Sequence, residues 1–134
     1  MKHDHVAILT SDFEKLTSWY TQKLGLEITK EWTVEFMPGM RLAYLGKNDF
    51  KIEIIGNIPA LGSSGKSLNP MENLNPGYNH FGIKVENIES VLENLKQKGV
   101  EAAAPVMDIP QAGIKAAIIT DVDGNVIELI EEKK

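Results

Sequence analysis

Two histidines and two glutamates carry the clearest chemical potential in this chain, and they recur at one spacing. His5 opens the apolar run His5-Val6-Ala7-Ile8-Leu9, and His80, 75 positions later, opens His80-Phe81-Gly82-Ile83-Lys84-Val85. Glu53 lies within Lys51-Ile52-Glu53-Ile54-Ile55, and Glu128, at the same offset of 75, within Val126-Ile127-Glu128-Leu129-Ile130. Each half of the chain therefore supplies one imidazole and one carboxylate from equivalent places. A pseudo-twofold axis relating the halves would bring all four to one point. Two neutral imidazoles and two carboxylates form a nitrogen–oxygen donor set for a divalent ion, and in a cleft such an ion is usually catalytic.

The elements that would position these residues also recur. Residues 4–10 form a short β-branched run. Ser11 with Glu14 three residues on has the pattern of a capping box, and Phe13, Leu16, Trp19, Tyr20 and Leu24 follow at helical spacing up to Gly25. This predicts a helix over 12–24. In the second half Asn87 is the expected N-cap, Ile88, Val91, Leu92 and Leu95 form the apolar stripe, and Gly99 ends it. Gly25 and Gly99 are 74 apart, which places a one-residue indel in the helices. Extended runs follow. Residues 26–34 match 100–107, and 40–46 match 114–120, which pairs Arg41 with Lys115 and Ala43 with Ala117. Turns at Lys47-Asn48-Asp49 and Asp121-Val122-Asp123-Gly124 lead into the glutamate-bearing strands. Alternation along a strand sets Glu53 on one face with Lys51 and Ile55, and Glu128 with Val126 and Ile130. A carboxylate among apolar neighbours is costly without a partner, and a cation would serve in both halves. Each half reads β-α-β-β-β, so the expected class is α+β: two tandem βαβββ modules forming a cleft-shaped mixed sheet. The single domain 1–134 would comprise module 1 at about 3–56, a connecting loop at about 57–78 that is a candidate lid, and module 2 at about 79–132.

Bulk properties narrow the function. A 134-residue chain buries enough surface to fold without staples, and it has no Cys, which removes thiolate catalysis and cysteine-type metal sites. A net charge of -5 argues against a nucleic-acid or anionic-membrane partner. Met1-Lys2-His3-Asp4 leads straight into the first strand-like run with no apolar segment of signal type, and no run is long enough for a membrane span. The expected setting is cytoplasmic, with a small-molecule substrate. Asp121-Val122-Asp123-Gly124-Asn125 is not a calcium loop, because Val126 stands where the sixth-position glycine is needed.

The layout resembles the vicinal-oxygen-chelate superfamily of glyoxalase I, extradiol dioxygenases, methylmalonyl-CoA epimerase and bleomycin-resistance proteins. The residues that carry the resemblance are His5-Val6-Ala7-Ile8, Trp19-Tyr20 with Leu24-Gly25-Leu26, Asn79-His80-Phe81-Gly82-Ile83 and Asp121 to Glu131. Val122 departs from the family's Asp-Pro-Asp-Gly turn. The resemblance is strongest to glyoxalase I of the small bacterial type, lactoylglutathione lyase, whose ligands are His, Glu, His, Glu. It implies His5, Glu53, His80 and Glu128 as ligands of Zn²⁺, Ni²⁺, Co²⁺ or Mn²⁺, with Glu128 as the base and Glu53 its pseudosymmetric counterpart. Iron fits less well, since extradiol dioxygenases use two His and one Glu. The alternatives are an epimerase, an iron-dependent extradiol dioxygenase, or a non-catalytic binding protein of bleomycin-resistance type. Small bacterial glyoxalases have arginine where Leu9 stands, whereas Asn57 matches an asparagine that contacts glutathione in the family. Glutathione as co-substrate is therefore left open. Arg41, the only arginine, is a candidate carboxylate anchor, and Trp32 and Phe36 are candidates for lining the pocket. The resemblance also implies a homodimer.

Overall fold

The structure is a computed structural model that describes residues 1–58 and 76–134. The chain divides into two units, Met1–Gly65 and Lys66–Lys134. In the first, β1 (Val6–Thr10), α1 (Phe13–Lys23), β2 (Glu27–Thr33), β3 (Arg41–Lys47) and β4 (Phe50–Gly56) form a sheet of order β1-β4-β3-β2. In the second, β5 (His80–Lys84), α2 (Ile88–Gln97), β6 (Met107–Ile109), β7 (Ile114–Thr120) and β8 (Val126–Glu132) form a sheet of order β5-β8-β7-β6. The architecture is α+β, with two four-stranded mixed sheets, as expected. The candidate lid at 57–78 falls mostly on residues 59–75, outside the described residues.

The repeat extends to hydrogen-bond register. The first strand of each unit runs parallel to its last: Val6 pairs with Ile52 and Ala7 with Glu53, while Phe81 pairs with Ile127 and Gly82 with Glu128. Every one of these pairs maps onto its counterpart at the same offset. The one-residue indel persists through the third strand, where Ala43 pairs with Ile54 and Ala117 with Leu129. The second hairpin turn absorbs it: five residues lie between the paired Thr120 and Val126, and four between the equivalent pair Gly46 and Lys51.

One face of each sheet packs against its helix. Phe13, Leu16 and Tyr20 of α1 are fully buried, as are Ala43, Leu45, Ile52 and Ile54 of the sheet beneath. In the second unit Ile88 and Leu95 of α2 are buried with Ala117, Ile119, Ile127 and Leu129. The leucine, isoleucine and phenylalanine side chains among these contribute roughly 1.5–3 kcal/mol each on full burial. The opposite, open face of each sheet carries the histidine and the glutamate.

Two local expectations need correction. The cap of α1 is Asp12 rather than Ser11: its Oδ1 accepts the Lys15 N–H at 3.0 Å, while the Thr10 hydroxyl accepts the Asp12 N–H at 3.1 Å. Glu14, expected to close a capping box, instead pairs with Arg41. The stretch matched to 26–34 yields only the three-residue β6. Pro105 has no N–H for a ladder, and the alanines before it offer little to pack. Asn87 does cap α2, accepting the Ser90 N–H at 2.8 Å.

Gly56 marks a close approach of helix to sheet. A Cβ there would lie 2.5 Å from the Phe13 Cβ and 2.8 Å from its Cα. At Gly82 the nearest atom is the mobile end of Ile130, at 3.0 Å. Gly56→Ala is therefore expected to lose about 2–3 kcal/mol in urea unfolding, because backbone must shift, and Gly82→Ala clearly less. Equal losses would show that the Phe13 contact is not the constraint.

Candidate metal centre and its aromatic surround

In the second unit Glu128 of β8 is level with Gly82 of β5, and His80 lies two residues earlier on the same face. The His80 Nε2 stands 3.0 Å from the Glu128 Oε2. The other ring nitrogen, Nδ1, is 2.7 Å from the Oδ1 of Asn79. An amide oxygen only accepts, so Nδ1 carries the proton and donates it. A neutral ring then turns a lone pair from Nε2 toward a carboxylate oxygen. Two electron-pair donors so close require an imidazolium or a shared cation. The 3.0 Å separation is that of an imidazolium–carboxylate hydrogen bond, and two ligands about 2.0–2.1 Å from a zinc-class ion would stand at a similar spacing. Glu128 has Val126 and Ile130 beside it on the open face, and Ile118 level with it on β7.

The first unit repeats the arrangement with different chemistry. His5 Nδ1 is 2.7 Å from Asp4 Oδ2, so the residue before the histidine again fixes the ring nitrogen. Asp4 also holds Lys51 Nζ at 2.9 Å. Hydrogen bonds from His5 and then Lys51 keep the Asp4 carboxyl below its usual range. Glu53 is level with Ala7 on one side and Tyr44 on the other, on the open face. The His5 ring packs 5.4 Å from that of Tyr44, which in turn lies 4.9 Å from Trp32. Among the described residues no group of three or more His, Asp or Glu side chains is placed to hold a metal ion; His80 and Glu128 are in contact, while His5 contacts Asp4 and Tyr44.

The other expected site residues lie as follows. Arg41 points to the helix side of its sheet, pairing with Glu14 and Glu31 and lying 4.3 Å over the Phe13 ring. Those carboxylates, Glu31 foremost, raise its pKa further. Lys115 repeats this contact with Glu89, at the positions the repeat predicts. Asn57 has a left-handed φ of 61°, and its Oδ1 accepts the Phe13 N–H at 3.0 Å, so it ties β4 to the start of α1. Trp32 is half-buried on the open face, and Phe36 is 80% exposed beyond β2. Asp4 and Tyr44 were not among the expected site residues, and Asn79 and Lys51 entered only as neighbours of His80 and Glu53. For Asp4 and Asn79 the signal was available, since they too are 75 apart.

The fold defines a class, and the comparisons give it a name. Residues 2–129 match the model of the Glyoxalase/Bleomycin resistance protein/Dioxygenase superfamily, and the chain belongs to that superfamily. It is similar to the crystal structure of a glyoxalase family protein from Enterococcus faecalis, with a TM-score of 0.77 and 28% identity over 97% of each chain. It is 26% identical over 131 residues to the uncharacterized protein YwkD of Bacillus subtilis (strain 168), covering 96% of this chain and 94% of that one. Lactoylglutathione lyase GLX1 of Arabidopsis thaliana is 23% identical over 131 residues, and the match spans 43% of that longer protein. Among the described residues no helix is long and apolar enough to cross a membrane.

The ring geometry makes a prediction that needs no metal. In metal-free protein, ¹⁵N-resolved imidazole spectra at neutral pH should show His5 protonated at Nδ1, and Asp4→Ala should mix its tautomers. Because the Asp4 pKa is lowered, its hold on Nδ1 is complete above the ordinary carboxylate range and is released as pH falls through the lower folded value. A neutral His5 protonated only at Nε2 would contradict the assigned contact.

Proposed function

We propose that the two imidazole–carboxylate pairs, His5 with Glu53 and His80 with Glu128, are the halves of one divalent-metal donor set. We further propose that the protein is a lyase or isomerase of glyoxalase type, moving a proton on the carbon beside a carbonyl. The observation that supports this reading is the contact of His80 Nε2 with Glu128 on the open face, with Asn79 against the other ring nitrogen. The fixing of His5 Nδ1 by Asp4 repeats it in the other half.

The donor chemistry fits the group. Two carboxylates balance a dication, and a nitrogen–oxygen set accepts Zn²⁺, Ni²⁺, Co²⁺ or Mn²⁺. When bound, such an ion supplies Lewis-acid polarisation of a carbonyl oxygen. The rest falls to the side chains. Glu128 takes the proton from the carbon beside the carbonyl and returns it to the neighbouring carbon or to the opposite face of the same one. Val126, Ile118 and Ile130 give its carboxylate partly apolar neighbours on that face. Glu53 stands in the corresponding place in the other half, and Asp4 and Asn79 hold the two imidazoles in a single tautomer. Superfamily membership supports the fold of such an enzyme and its small-molecule substrate, and it also covers dioxygenases and resistance proteins.

Metal analysis of purified protein tests the donor set. About one divalent transition ion per chain is expected, with His80→Ala and Glu128→Ala each lowering affinity at least tenfold by isothermal titration. Deuterium exchange tests the chemistry: metal-loaded protein in D₂O should exchange the carbon-bound hydrogen of an α-hydroxycarbonyl compound, and Glu128→Gln should slow this about 10²–10⁴-fold. Retained metal binding in both alanine variants would sink the donor set, and unchanged exchange in Glu128→Gln would remove the base.

A further inference from the structure

Sheet register places four side chains in one row across the open face of the first unit. Ala7 pairs with Glu53, Glu53 with Tyr44, and Tyr44 with Lys30. Trp32, two residues along from Lys30 on the same face, lies 4.9 Å from Tyr44 at a tilt of 54°. The row therefore runs from a carboxylate and His5, over two aromatic rings, to an ammonium. Trp32 and Tyr44 are both half-buried, so part of each ring remains open. The two cations on this face differ in their commitments. Lys51 is held by Asp4 and lies 4.6 Å from the Tyr44 ring. Lys30 is exposed, lies 5.8 Å from the Trp32 ring and makes no ion pair among the described residues.

We propose that this row is a specificity shelf for a flat aryl substrate bearing a negative charge at the end remote from its α-hydroxycarbonyl group. A planar π-system gains from the rings of Trp32 and Tyr44, where an alkyl group gains only contact area. The distal anion belongs at Lys30, because Glu53 and Asp4 repel it from the other end. Neighbouring strands are about 4.8 Å apart, so Glu53 and Lys30 stand about 10 Å apart across two strand spacings. A benzene ring substituted at opposite ends spans that distance together with the lysine's reach. The direction of the ligand along the row rests on the metal reading above, while the aryl preference rests on the rings alone.

Three probes separate these contributions: 4-carboxymandelate, mandelate and lactate, titrated by calorimetry into metal-free and zinc-supplemented protein. Quenching of Trp32 fluorescence in a Trp19→Phe background serves as the second readout. The expected order of affinity is 4-carboxymandelate, then mandelate, then lactate. Trp32→Leu should weaken both aryl compounds about three- to tenfold, with lactate unchanged. Trp32→Phe, which keeps a ring, should restore most of that loss. Lys30→Met, an exposed substitution, should erase only the advantage of 4-carboxymandelate over mandelate. Zinc uptake without aryl preference overturns the shelf and leaves the metal reading standing. Aryl preference in protein that never binds zinc does the reverse. Mandelate bound equally by wild type and Trp32→Leu also overturns the proposal, as does an unaltered preference for the distal carboxylate in Lys30→Met.

Discussion

The parallel pairing of the first and last strands within each unit is the constraint on which the rest depends. It sets a glutamate level with the residue two places after a histidine, and alternation puts both on the open face. A one-residue slip in that pairing would turn one partner of each pair into the helix-facing core, where a carboxylate is costly. Register is thus protected by hydrophobic burial on the opposite face. Ile52 and Ile54 flank Glu53, and Ile127 and Leu129 flank Glu128, and all four are buried. The core and the candidate metal ligands are specified by the same alternating strands.

Each helix is moored to this pairing at its first turn. The Phe13 N–H donates to Asn57 just beyond β4, and the Ile88 N–H donates to Glu131 within β8 at 2.8 Å. A side chain from the end of the last strand thus satisfies a helix N–H that has no partner within the helix. A second tie runs from the first turn to the third strand, through Glu14 to Arg41 in one unit and Glu89 to Lys115 in the other. The only arginine is therefore committed to the helix side of its sheet, which leaves the open face to the lysines and aromatic rings.

Much of this was legible in the sequence because the repeat is carried by side chains with separate jobs. Apolar alternation gave the strands, Asn87 announced its helix, and the offset of 75 linked each histidine to its glutamate. What escaped notice had no local signature. Ser11 and Asp12 are both good caps, and only the Thr10 hydroxyl, in place once β1 has formed, favours Asp12. The shortness of β6 depends on what its neighbour offers as much as on Pro105. Tyr44 stands between Ala43 and Leu45 in the sequence, and its place beside His5 emerges only when β3, β4 and β1 are laid side by side. Asn57, a substrate contact by resemblance, also accepts the Phe13 N–H from a left-handed backbone, a tie that appears only in the folded chain.

Backbone symmetry between the halves does not extend to electronic symmetry. His5 is backed by a carboxylate and His80 by an amide, although both supporting groups stand 2.7 Å from the same ring nitrogen. A carboxylate behind an imidazole pushes electron density toward the far nitrogen more strongly than a neutral amide does. The repeat therefore backs its first imidazole with a charged group and its second with a neutral dipole. Replacement of a single carboxylate by its amide relative is enough to make two copies of one backbone motif electronically unequal.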